Sequence, residues 1–256
     1  MTLRRVATLR SAVREDVGDL KTRQAIDEGA RVSLDPFLLL AHHGPQVYPP
    51  ANQGLPFGPH PHRGFETVTF IRSGALAHHD TGGHESVIEA GGVQWMTAGS
   101  GLIHAELSPP TFRRDGGPLE ILQLWVNLPG RLKMTAPRYT GVQASAIPKA
   151  SLDQGRANLA LVSGAFDDKV GPIDSLTGVF MSTVEFQTSS QVVLPAPNGR
   201  NVLFYVIAGT VEVDGRSVEA DNLVIFADDG DAIEVATRDR ATLLAAQWKR
   251  ARPSLA

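Results

Sequence analysis

The chain has 256 residues, 42% of them hydrophobic, with 24 Lys and Arg against 27 Asp and Glu for a net charge of −3. That balance is globular and large enough for one big domain or two mid-sized ones. The scattered basic residues offer no concentrated face for nucleic acid, and no apolar run is long enough to span a bilayer.

The absence of cysteine excludes disulfides, thiolate metal sites and a cysteine nucleophile. The stretch from Met1 to Asp16 lacks the apolar segment of a secretory leader, so the expected location is cytoplasmic. With 25 Gly and 17 Pro, turns and short strands are favoured over long helices.

In chain order, Arg4, Arg5 and Arg10 read as a solvated edge. Residues 34–40, Leu-Asp-Pro-Phe-Leu-Leu-Leu, read as a short buried strand after a turn. Residues 42–61, rich in Gly, Pro and His, read as a long loop. His42 and His43 fall there as solvated residues, with lining of a site mouth as the alternative. His60-Pro61-His62 follows, then a β-branched and aromatic strand from Phe65 to Ile71 that ends at Ser73-Gly74. Asp80-Thr81-Gly82-Gly83 is a hairpin turn, and the polar hairpin around it sends His78, His79 and His84 to solvent. Gly91-Gly92 is another turn before Val93-Gln94-Trp95-Met96. His104-Ala105-Glu106 comes next, and a strong strand from Glu120 to Leu128 is stopped by Pro129-Gly130. Residues 129–150 read as a crossing between domains.

The second half repeats this grammar. Val202-Leu203-Phe204-Tyr205-Val206-Ile207-Ala208-Gly209 parallels Thr67 to Gly74 at an offset of 135 residues, and Val218-Glu219-Ala220 parallels Ile88-Glu89-Ala90 at an offset of 130. Two similar all-β units are expected, a tandem repeat of a small barrel or sandwich spanning 1–135 and 136–256.

Residues i and i+2 of a strand share a face, so His60 with His62, and His104 with Glu106, each aim two ligand-type groups at one side of a sheet. If the two strands face each other, three imidazoles and one carboxylate converge, a set that suits a first-row divalent metal with open positions. Glu66 competes with Glu106 for the carboxylate role, or else orients a ligand imidazole from behind. The repeat offsets put Pro195 and Pro197 opposite His60 and His62, and Glu234 and Ala236 opposite His104 and Glu106. No His follows His104, so the second domain is expected to hold no metal.

At these residues the chain closely resembles the pirin family of two-domain cupins. The segment from Gly58 to Thr69 resembles the family's signature around its first two metal ligands. Val93-Gln94-Trp95-Met96-Thr97-Ala98-Gly99, followed by Gly101-Leu102-Ile103-His104-Ala105-Glu106, resembles its second signature. Leu34-Asp35-Pro36-Phe37-Leu38 matches its N-terminal region, and the likeness weakens through the second domain. One departure stands out: pirins usually carry a C-terminal His-Gly-Pro-Phe-type segment, whereas this chain reads Arg-Ala-Arg-Pro-Ser-Leu-Ala after Lys249.

The resemblance implies two tandem cupin barrels and an iron site, Fe2+, at His60, His62, His104 and Glu106, with Glu66 outside the ligand set. The same donors accept Mn, Co, Ni, Cu or Zn. It further implies a dioxygenase that cleaves a quercetin-type flavonol, or another small aromatic or enediol substrate, with O2, and in which Glu106 serves as general base. The alternative is a non-enzymatic, redox-sensitive regulator that contacts a protein partner. The expectation is a monomer that touches neither nucleic acid nor membrane.

Overall fold

The computed structural model describes residues 1–26 and 34–249. Among these, strands dominate, the α-helix Pro110–Asp115 has six residues, and no helix is long and apolar enough to cross a membrane. The residues after Lys249, where the departure from the pirin pattern falls, lie outside the described residues.

The chain divides into two compact units. One is Val13–Ile147; the other joins Met1–Ala12 to residues 148 onward. Set beside the expected boundary after residue 135, the strand Arg138–Val142 stays with the first unit and the opening twelve residues go to the second.

Each unit pairs a seven-stranded antiparallel sheet with a four-stranded one, the double-sheet architecture of a cupin barrel. In the first unit the small sheet runs Phe57–His62, Leu102–Leu107, Ala75–Asp80, Glu85–Glu89. The centre of its large sheet is Val93–Thr97, Phe65–Ser73, Gly117–Asn127, Phe37–Tyr48. The second unit repeats that order with Asn222–Phe226, Arg200–Ala208, Ala241–Lys249, Phe180–Phe186. Val6–Ser11 closes the edge of the second large sheet, the place Arg138–Val142 takes in the first.

Residues directly opposite in antiparallel strands share a face, so the pairings align the two barrels. Phe65 faces Asn127 as Arg200 faces Lys249; Thr67 faces Trp125 as Val202 faces Gln247; Thr69 faces Gln123 as Phe204 faces Ala245. In the small sheets the inward pair His60–His104 corresponds to Leu194–Ile233, with Val235 where Glu106 stands. The offsets read from sequence miss this sheet by one residue. They select Pro195 and Glu234, on the opposite face from the core residues Leu194 and Ile233. A slip of one residue exchanges faces because strand periodicity is two.

The inner faces explain the division of labour. In the second barrel Val202, Phe204, Val206, Leu194, Ile233 and Val235 join one apolar core. A fully buried Phe or Val contributes about 1.5–3 kcal/mol. In the first barrel Ile71, Leu76, Ile88 and Ile121 make such a core at one end. Further along the same inner face come Thr69, Thr67, Gln123 and Trp125, which surround the histidines.

Of the opening arginines, Arg4 is not part of a solvated edge. Arg4 is 2% exposed, and its guanidinium is ringed by six acceptors of the second unit. Nε donates to Ala196 O and Gly230 O, Nη1 to Arg200 O and Ala227 O, and Nη2 to Pro197 O and Asp228 Oδ1, all at 2.8–3.1 Å. Arg5 stays exposed, paired with Asp229 at 2.6 Å.

Candidate metal centre

Strand spacing and register bring the two histidine-bearing strands together. His60 sits opposite His104 in the pairing of Phe57–His62 with Leu102–Leu107. One nitrogen from each of His60, His62 and His104 lies within 4.8 Å of the others, and no second group of that kind occurs among the described residues. Ring centroids are 4.5 Å apart for His60 and His104, 4.7 Å for His60 and His62, and 4.9 Å for His62 and His104.

The donor chemistry fits a metal. His60 donates Nδ1–H to Gly58 O at 2.7 Å, which leaves a lone pair on Nε2. That Nε2 lies 3.0 Å from Nε2 of His104. Two nitrogens each about 2.1 Å from one ion, at right angles, stand about 3.0 Å apart. Burial, then the neighbouring imidazoles, pushes His62 down to about 4 and His104 to about 3. Both are therefore neutral at pH 7, the form that ligates. Phe65 and Trp125 wall His62 at centroid distances of 5.0 and 5.2 Å. His104 Nδ1 is buried with no partner among the described residues, so packing against the His60, His62 and His78 rings orients it.

Glu106 shares the face of His104 but is not one of the clustered donors. Its carboxylate accepts from Thr69 Oγ1 at 2.8 Å and Gln123 Nε2 at 2.5 Å. Gln123 is oriented in turn by Trp125 Nε1, which donates to its Oε1 at 3.2 Å. Complete burial raises the Glu106 pKa, against the pull of Thr69 and Gln123 toward the anion.

Other sequence expectations change here. Glu66 is four residues after His62, but the strand breaks at Arg63-Gly64, where Gly64 has φ +79°. Glu66 lies on the opposite face from Thr69, beside Thr97, whose Oγ1 donates to it at 2.7 Å. His42 and His43 are not solvated loop residues. They lie in the twelve-residue strand Phe37–Tyr48, 1% and 3% exposed. His43 Nδ1 pairs with Thr22 Oγ1 at 2.7 Å, and His42 Nε2 with Glu120 at 3.0 Å. His78 also turns inward, 1% exposed. It stacks on Tyr139 at 3.9 Å, with Nε2 2.9 Å from Asp80 Oδ2. His79 and His84 keep half-open side chains. No signal in the local sequence marks Thr69, Gln123 and Trp125 as the supports of Glu106; they are found by register alone.

Comparison with known proteins supplies a family. The pirin family model matches residues 19–126, and that of the pirin C-terminal cupin domain matches residues 181–247. A Pseudomonas aeruginosa protein, provisionally named quercetin 2,3-dioxygenase PA2418, is 36% identical over 211 residues, covering 82% of this chain and 74% of its own. The crystal structure of a quercetin 2,3-dioxygenase from Acinetobacter baumannii superimposes with a TM-score of 0.92 at 30% identity, over 97% of this chain and 88% of that one. The Escherichia coli pirin YhhW, crystallised with nickel(II), shares the fold at 20% identity and a TM-score of 0.74, over 95% and 99%.

Proposed function

The chain belongs to the pirin family, and from that premise we propose that its first barrel is a metal-dependent dioxygenase site for quercetin-type flavonols. The observation that carries the activity is the likeness to the Acinetobacter quercetin dioxygenase over nearly the whole chain. The observation that supports the metal is the convergence of three imidazoles, two of them buried and that of His60 half-buried.

In this reading His60, His62 and His104 hold the ion, and Glu106 completes the set. Iron(II) is the expected metal, with nickel, manganese, cobalt, copper and zinc chemically admissible for the same donors. The bound ion supplies Lewis acidity toward the flavonol oxygens and a redox partner for dioxygen.

The protein's own groups position the substrate and move its proton. Phe65 and Trp125, 4.8 Å apart beside His62, offer an apolar aromatic wall for a planar ring system. Glu106 accepts the proton of the flavonol hydroxyl. It does so once it has let go of the ion, and Thr69 and Gln123 then hold it in place. The ring then opens with uptake of one dioxygen and release of carbon monoxide.

The test is aerobic and anaerobic incubation of protein loaded separately with iron(II), nickel(II) and manganese(II), following flavonol absorbance and carbon monoxide. Oxygen-dependent release is expected. Its absence with every metal ends the flavonol assignment.

A further inference from the structure

The second barrel has apolar residues in place of the metal-ligand set, yet it keeps a cavity at the same place in the fold. The cavity has a volume of about 320 Å3, the small end of the range for ligand sites. Four residues of its wall are the register counterparts of first-barrel site residues. Leu194 stands for His60, Arg200 for Phe65, Ala245 for Gln123 and Gln247 for Trp125. Phe166 and Phe180 supply an apolar lining, and exposed Asp167 stands at the rim.

Arg200 is the unusual member. It is half-buried on the wall of a space that it shares with Phe166, Phe180 and Leu194. Nη2 donates to Gly178 O at 2.9 Å and to Gln247 O at 3.4 Å. Nε is buried and meets no acceptor. No carboxylate among the described residues pairs with this guanidinium, and burial is the influence that acts on it, lowering its pKa. Carbonyl partners satisfy donors but do not balance a charge, and a partly desolvated cation without a counter-ion is costly. A guanidinium offers a planar fork that matches a carboxylate. The Asp167 carboxylate at the rim opposes a second negative charge on the entering molecule.

We propose that the mouth of the second barrel binds a small monoanionic carboxylate with an apolar, aromatic-sized body, its carboxylate on Arg200 and its body against Phe166 and Phe180. The site needs no metal and is independent of the flavonol reading.

The test is calorimetric titration of the full-length protein with benzoate, phenylacetate and 4-phenylbutyrate, and with phenylacetamide as the neutral control. Arg200→Gln is expected to weaken carboxylate binding roughly 10- to 100-fold, the loss of one charge-assisted contact, with Arg200→Lys between the two. Ala165→Trp, at an exposed position on the rim, should block entry without touching the core. Asp167→Asn should admit the dianion phthalate, which the parent refuses. His104→Ala should leave carboxylate affinity unchanged, which separates this site from carboxylates that ligate the first-barrel metal. The proposal is overturned if no carboxylate binds in the millimolar range, if phenylacetamide binds as well as phenylacetate, if Ala165→Trp binds like the parent, or if affinity is lost in His104→Ala and kept in Arg200→Gln.

Discussion

Replacing Arg4 by alanine tests whether the opening residues are structural members of the second unit. The side chain is fully buried and gives its donors to five backbone carbonyls and to Asp228. Alanine leaves those carbonyls facing a void and Asp228 without its cation. Each stranded buried acceptor costs about 1–3 kcal/mol, but such losses are not additive when the acceptors share one cavity. Asp228 is exposed and regains water, so we take the total as about two stranded carbonyls, about 3–5 kcal/mol. For a unit of this size that lowers the melting temperature by about 10–20 °C. Arg4→Lys should recover only part, because a compact ammonium cannot span six acceptors. Calorimetry gives the shift, and hydrogen exchange locates it: protection should fall in Asn222–Phe226, the strand paired with Val6–Ser11. A melting temperature within about 2 °C of the parent, less than 1 kcal/mol by the same conversion, refutes the reasoning.

Three further outcomes are expected. His104→Ala should weaken metal binding by at least roughly tenfold, read by metal analysis after dialysis; unchanged metal content removes the triad as the site. Glu106→Gln should lower flavonol turnover by about 10²–10⁴-fold while metal is retained, and full activity would exclude a base at this position. The third concerns His43, 3% exposed, whose pKa burial pushes down to about 4. Between about pH 6.5 and 4 the unfolded chain binds this proton and the folded chain does not, so the stability it contributes is full above pH 6.5 and lost as pH falls. His43→Leu should lower the slope of stability against pH in that window by about 1.4 kcal/mol per unit, measured by urea unfolding; an unchanged slope shows that His43 titrates normally.

The spacing of His60 with His62, and of His104 with Glu106, was legible because strand alternation is a local rule and both pairs lie within strands; it brings the three imidazoles together and leaves Glu106 outside their cluster. Residues 42–48 misled because Gly44-Pro45 and two histidines resemble a loop. The strand absorbs them through an irregularity: between the partners Ile121–His43 and Leu119–Gln46, Gly44 and Pro45 together oppose the single residue Glu120. A bulge is where a central strand tolerates proline. Gly44 itself has φ +84°, and a Cβ there would lie 2.4 Å from Leu119 O. His78 was hidden for another reason. Its burial rests on Asp80 and on Tyr139, a residue far along the chain, and hydropathy sees neither. The support of Glu106 by Gln123 and Trp125 is likewise a matter of which strands become neighbours.

The edge strand Val6–Ser11 has a consequence for the order of assembly. Residues 13–147 are contiguous and can close into a barrel as soon as they have been synthesised. Val6–Ser11 is made before all of them, yet its partner Asn222–Phe226 is made more than two hundred residues later. Throughout that interval the ribosome-borne chain carries a bare strand edge, open to wrong partners. A strand made early thus waits for a partner made late.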